Sequence, residues 1–153
     1  MAENGIETNV ICQVGLVVRD IERTARAYAD IFGMDVPPIS ITAPEAEAHT
    51  IYRGAPTPAR ARLAFFQMGA ISLELIEPVG GPSTWQEFLD RHGEGVHHIA
   101  FRIAGMDRII AYLESKGITA VQRGDYTGGR YAYMGSEGQL GVILELLERV
   151  NRQ

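Results

Sequence analysis

The feature that most restricts the fold is a phrase that the chain writes twice. "SLELIEP" at 72–78 puts Glu74 inside an apolar run, and "VILELLER" at 142–149 puts Glu145 in the matching slot, 71 residues later. A carboxylate among apolar neighbours is costly unless something answers its charge. The same acid in the same setting twice points to a duplicated unit, and an internal repeat governs the whole fold assignment.

The surrounding pattern repeats as well. "VICQVGLVV" (10–18) is rich in β-branched residues and reads as a strand. Asp20 can cap a helix in which Ile21, Ala25, Tyr28 and Phe32 recur at helical spacing, and Gly33 can end it. "VPPISIT" (36–42) predicts an edge strand because proline cannot donate to a ladder, and 43–59 reads as a long loop. "RARLAFFQM" (60–68) and "ISLELIE" (71–77) predict a hairpin, and "STWQEFLDRHG" (83–93) a short linking helix capped by Ser83, with Trp85 as a packing residue. The order then restarts. "VHHIAFRI" (96–103) is a strand, and Met106, Ile109, Ile110 and Leu113 share one helix face that ends at Gly117. Strands follow at 118–123, 130–136 and 139–148.

The expected fold class is therefore α+β. Two βαβββ modules, about 8–78 and 95–148, are joined by the helix 83–93 within a single domain, 1–153. The spacing supports this. Gln13 precedes Gly33 by 20 residues, and His98 precedes Gly117 by 19. Gln13 precedes Glu74 by 61, and His98 precedes Glu145 by 47; the difference of 14 is about the length of a loop at 45–58 that the second module lacks.

Composition excludes several classes. A net charge of −5 without a basic tail or stripe argues against nucleic acid as a partner. Cys12 is the only cysteine, so no disulfide framework forms within the chain, as suits a reducing compartment. The N-terminus "MAENGIETN" has no apolar signal core, and no apolar run approaches a membrane span. A cytoplasmic location with no membrane partner is expected.

Each module offers one polar residue on its first strand and one on its last: Gln13 and Glu74, then His98 and Glu145. Strand alternation gives each of the four mainly apolar or small neighbours on its own face. Modules packed about a pseudo-twofold axis would bring them into one cleft. Two facing carboxylates would repel, and a divalent cation would answer both while accepting the Gln oxygen and the His nitrogen. One nitrogen and several oxygens, without thiolate, suit Zn, Co, Ni, Mn or Mg and select none of them.

With these residues in view, the chain resembles the vicinal-oxygen-chelate superfamily of glyoxalases, epimerases and extradiol dioxygenases over about residues 10–148. Methylmalonyl-CoA epimerase is the nearest likeness, through "LELIEP", "FLDRHGEGVHHIAFRI", "GGR" and "GVILELLE". The resemblance implies a curved mixed sheet around a central cleft and one metal held by Gln13, Glu74, His98 and Glu145. It implies one site per chain, pairing as a homodimer, and a small-molecule substrate such as an acyl-CoA thioester. His98 is then the ligand by its register with Gln13, and His97 is expected to point to the opposite face.

Two departures bear on activity. The epimerases usually carry His where this chain has Gln13, and a Gln/Glu/His/Glu set resembles glyoxalase I instead. The epimerases also place an acid on the strand before the second ligand, whereas "RARLAFFQM" has Leu63 near that place and no carboxylate. His49, Tyr52 or Gln67 are substitutes to test. The expected activity is a metal-dependent isomerase or epimerase that takes a proton next to a carbonyl or thioester, with Glu145 as base and Glu74 second to it. The alternative is a glyoxalase I-like isomerase or lyase on another small substrate. A non-catalytic resistance protein that sequesters its ligand fits less well, since those members generally lack the metal set. An acyl-CoA would call for a basic entry, for which Arg53, Arg60, Arg62 and Arg130 are candidates.

Overall fold

The computed structural model describes residues 5–150. The first strand, β1 (Gln13–Val17), runs into helix α1 (Ile21–Phe32). Asp20 caps that helix by accepting from the Arg23 amide at 3.1 Å, and Gly33 ends it at φ 65°, a left-handed conformation cheap only without a side chain. Short pieces follow: β2 (Ser40–Ile41), α2 (Glu45–Ala48), β3 (Ile51–Tyr52) and β4 (Ala55–Pro56). Then come the long hairpin β5 (Arg60–Met68) and β6 (Ile71–Val79), and helix α3 (Thr84–His92). The second half comprises β7 (Gly95–Arg102), α4 (Met106–Ser115), β8 (Ala120–Tyr126), β9 (Gly129–Met134), α5 (Glu137–Leu140) and β10 (Ile143–Arg149).

All ten strands join one curled mixed sheet in the order β2-β5-β6-β1-β7-β10-β9-β8-β3-β4. β1 lies parallel to β6, β7 lies parallel to β10, and the halves meet at an antiparallel β1–β7 seam. Strand alternation gives the sheet two unlike faces. Outside, α1 packs on Ala64, Phe66, Leu73 and Leu75, and α4 packs on Phe101, Ala132, Met134, Leu144 and Leu146. Inside, α3 brings Trp85 and Leu89 against Val17, Ala61, Ile76, Tyr133 and Ile143 and so plugs one end of the concave face. Leu75 and Leu146 are fully buried, so truncating either to Ala should cost about 2–5 kcal/mol.

The repeated phrase does a second job in each half. Glu77 Oε1 accepts from the Ile21 amide at 3.1 Å, and Glu148 Oε2 accepts from the Met106 amide at 2.7 Å. Each acid thus satisfies an otherwise orphaned N–H at the start of its own module's helix. Three residues separate Glu74 from Glu77 and Glu145 from Glu148, an odd number, so one acid of each pair faces the cleft and the other faces the helix.

Three expectations need correction. The edge strand at 36–42 shrinks to Ser40–Ile41, because Pro37 and Pro38 cannot donate to a ladder. The loop at 43–59 contains α2 and the small β3–β4 hairpin, and β3 crosses the cleft to pair with β8 of the other half, Ile51 opposite Arg123. That crossing covers an edge that would otherwise be open. The strand expected at 139–148 begins only at Ile143, since Glu137–Leu140 form α5 and Gly141 takes φ 79°.

Candidate metal centre and its cavity

The four candidate residues lie on four adjacent central strands: Glu74 on β6, Gln13 on β1, His98 on β7 and Glu145 on β10. Their side chains converge. His98 Nε2 stands 3.1 Å from Gln13 Oε1, 3.4 Å from Glu74 Oε1 and 3.5 Å from Glu145 Oε2. One donor atom from each of Glu74, His98 and Glu145 lies within 4.8 Å of the others, and all three residues are buried.

These groups fit a dication. Glu74 Oε1 is buried with no hydrogen-bond partner, an arrangement that a bound cation would complete. Burial lifts the Glu74 carboxyl to about 8. Burial also lifts Glu145, to about 7, with the Glu74 charge adding to the rise and His98 and the nearby Tyr133 hydroxyl opposing it. Burial lowers the His98 pKa, so its imidazole is neutral at pH 7 with a lone pair to offer. Gly15 makes the room: it lies opposite His98 across the seam, and the imidazole occupies the space a side chain would fill.

His97 does not point to the opposite face. The β1–β7 register shifts between Gly15 and Leu16, leaving His97 as the extra residue of a bulge. The bulge turns both imidazoles inward, with their Nδ1 atoms 2.9 Å apart and both rings against Tyr133. When His98 Nε2 serves as a ligand, its proton resides on Nδ1 and donates to His97 Nδ1. The His97 proton then sits on Nε2, a buried atom with no partner.

The residues above the centre enclose a cavity of about 380 Å³, lined by Gln13, Glu74 and Glu145 at its floor and by Leu63, Phe65, Tyr126, Tyr131 and Tyr133 on its walls. That volume suits a small molecule. Leu63 and Phe65 are what β5 presents, so no carboxylate enters from that strand. The proposed substitutes do not enter either. Tyr52 is hydrogen-bonded to Glu87, Gln67 to the Gly69 carbonyl, and His49 to Asp125 at 2.9 Å. Asp125 itself lines the cavity. The four candidate arginines are committed elsewhere: Arg53 to Glu87, Arg60 to the Thr42 carbonyl, Arg62 to Glu22 and Glu77, and Arg130 to Glu148.

Sequence reasoning missed Tyr133. Trp85 Nε1–H donates to the Tyr133 hydroxyl at 3.0 Å, and that hydroxyl lies close enough to Glu145 to draw its carboxyl pKa down. Trp85 is a packing residue as expected, and it also orients this hydroxyl. The alternation in "RYAYM", which puts Tyr131 and Tyr133 on one face, was the available signal.

Residues 12–133 match the profile of the Glyoxalase/Bleomycin resistance protein/Dioxygenase superfamily, and the chain belongs to that superfamily. An uncharacterized protein of Bacillus subtilis (strain 168) is 33% identical over 92 residues, which is 58% of this chain and 66% of that protein's length. Among solved structures, methylmalonyl-CoA epimerase from Mycobacterium tuberculosis superposes with a TM-score of 0.67 at 22% identity, over 99% of this chain and 93% of that one. A methylmalonyl-CoA epimerase in complex with methylmalonyl-CoA and ammonium gives 0.63 at 26% identity, over 92% and 94%. Among the described residues, no helix is long and apolar enough to cross a membrane.

Proposed function

We propose that this chain is a metal-dependent isomerase that moves a proton at a carbon next to a carbonyl or thioester, in the manner of an acyl-CoA epimerase. The observation that carries the reading is the pair of buried carboxylates, Glu74 and Glu145, converging with His98 at the floor of a cavity of small-molecule size. Gln13, Glu74, His98 and Glu145 would hold one divalent cation. When bound, that ion would supply Lewis-acid polarisation of the substrate's oxygens.

The chain's own groups do the rest. Glu145 takes the proton on its carboxylate, whose burial raises its affinity for a proton above that of a free acid. Tyr133 sets its hydroxyl, which burial keeps protonated, within electrostatic reach of Glu145. Leu63, Phe65 and the bodies of Tyr131 and Tyr133 exclude water, which strengthens every charge interaction inside.

A second reading is a glyoxalase I-like isomerase or lyase in which one base serves the whole proton transfer. It is favoured by Gln13 in the ligand set and by the apolar pair Leu63 and Phe65 where β5 meets the cavity. Metal analysis combined with a solvent-deuterium screen over racemic acyl-CoA thioesters and hemithioacetals separates the two. Deuterium in a thioester substrate supports the first, deuterium only in hemithioacetal products supports the second, and none in either rejects both.

A further inference from the structure

The arginines at 53, 60, 62 and 130 are engaged, but two others stand where a ligand would meet them. Arg102 ends β7 and Arg149 ends β10. Alternation places Arg102 on the face of His98 and Arg149 on the face of Glu145. Leu147 lies between them in register, opposite Arg102 across the β7–β10 ladder. Leu147 also lines both the central cavity and an open groove of about 610 Å³ whose walls include Arg102 and Arg149. Cavity and groove therefore meet over one side chain.

The charges in that groove do not cancel internally. Its two acids are occupied, Glu7 by Arg108 and Glu148 by Arg130. Among the described residues, neither Arg102 nor Arg149 makes an ion pair. Tyr126 stands beside them. Gly129 pairs with both Arg149 and Tyr126, and a Cβ there would fall 2.6 Å from the Tyr126 hydroxyl, so the phenol lies over that glycine. Burial and then Glu145 push the Tyr126 phenol up while Arg102 and Arg149 draw it down, which sets all four groups within electrostatic reach of one another.

We infer that Arg102, Arg149 and Tyr126 form a subsite for a negatively charged group, a phosphate or a carboxylate, carried on the arm of the substrate remote from the carbon that loses its proton. The inference deepens the isomerase reading and rests on it for the location of that carbon. At ~3.3 Å of rise per residue, Leu147 lies about 7 Å and Arg149 about 13 Å along β10 from Glu145, which sets the reach of the arm. Guanidinium groups suit the task because they grip either anion with two parallel hydrogen bonds. Two acids at the cavity floor would repel an anionic substrate, and the arginine pair offsets that repulsion and steers the approach.

The test uses the metal-reconstituted full chain, with coenzyme A as the phosphate probe and glutathione as the carboxylate probe, titrated calorimetrically at low and high salt. The subsite requires that at least one probe bind wild type with an affinity that falls as salt rises. Arg102→Glu and Arg149→Glu should each weaken that probe by at least tenfold, with metal stoichiometry and Tm unchanged. Arg102→Gln and Arg149→Gln serve where charge reversal disturbs folding, and should weaken it about threefold or more. Loss confined to coenzyme A identifies phosphate as the ligand, and loss confined to glutathione identifies carboxylate. Failure of both probes to bind, or equal binding by the doubly substituted chain, overturns the subsite. Deuterium exchange read in parallel keeps the two claims apart. Arginine-dependent binding without exchange on any substrate rejects the isomerase and keeps the subsite, whereas exchange with an unaltered KM in the double variant rejects the subsite alone.

Discussion

Gly15 stands directly across the antiparallel seam from His98, and a Cβ built on it would fall 2.1 Å from the imidazole Cε1. The imidazole can reach the centre only because that strand carries no side chain there. Gly15→Ala should therefore displace His98. Metal content should fall well below one ion per chain, and the protein should lose about 1–3 kcal/mol from overpacking. Elemental analysis beside thermal unfolding reads both effects. Full occupancy in this variant, or in His98→Ala, would place the metal elsewhere.

The raised carboxyls make the metal-free protein sensitive to alkali. Glu74 and Glu145 keep their protons in the folded chain up to about 8 and about 7, against 4.5 for a free carboxyl. Between these values the unfolded chain binds fewer protons than the folded one, so stability falls as pH rises. Buried His97 and His98, whose pKa values are lowered, oppose this below about 6.5, so the Tm of chelator-treated protein should decline between about pH 6.5 and pH 8, and a saturating divalent cation should flatten the decline. A metal-free Tm that climbs across that window would show the acids to be ionised and satisfied without a cation.

Glu145 and Tyr133 should separate chemistry from support. Glu145→Gln is expected to abolish proton exchange while retaining some metal, and undiminished turnover would remove it from the role of base. Tyr133→Phe leaves the Trp85 N–H without its acceptor and removes from beside Glu145 the hydroxyl that lowers its carboxyl pKa. It should cost about 1–3 kcal/mol of stability and shift the pH–rate profile upward, since the lost hydroxyl had favoured the charged carboxylate. A profile that stays in place would make Tyr133 a packing residue only.

How much of this could be read from the chain depended on whether a residue's setting was local. Asp20, Gly33 and the apolar spacing of α1 are short-range signals, and the helix lies where they put it. Gln13, Glu74, His98 and Glu145 could be paired because the repeat relates them, and they converge within one chain. The expected side for His97 failed because one extra residue in β7 breaks the alternation on which it relied, and a bulge leaves no mark in "GVHHIAF". The β3–β4 hairpin was missed because only docking against β8 gives Ile51 and Tyr52 a ladder. The candidate arginines were misplaced for a similar reason. Arg62 and Arg130 sit opposite Glu77 and Glu148 only once the strands pair, and they serve the repeat instead of a substrate.

His97 should act on the metal through its neighbour. With His98 Nε2 serving as a ligand, His97 Nδ1, 2.9 Å from His98 Nδ1, is the acceptor that fixes the His98 tautomer. His97→Phe fills the space and removes that acceptor, so metal affinity should drop about 10–100-fold while the fold holds. Competition against a chromophoric chelator measures the affinity, and nitrogen-15 shifts of His98 report the tautomer. Unchanged values of both would remove His97 from the support of the centre.

The second acid of each repeated phrase offers the cleanest test of the duplication itself. Glu77 and Glu148 each accept from the first amide of a helix and each pair with an arginine on the adjacent strand. Glu77→Ala and Glu148→Ala should each leave a helix amide unanswered and take one of two acidic partners from a guanidinium, lowering stability by about 1–2 kcal/mol. The sites sit in different halves and share no partner, so the double variant should lose close to the sum. Neither acid faces the cavity, so metal stoichiometry should not change. Chemical denaturation of the two single variants and the double reads all three quantities, and a strongly unequal pair of single losses would mean that the halves repeat in letters without repeating in mechanics.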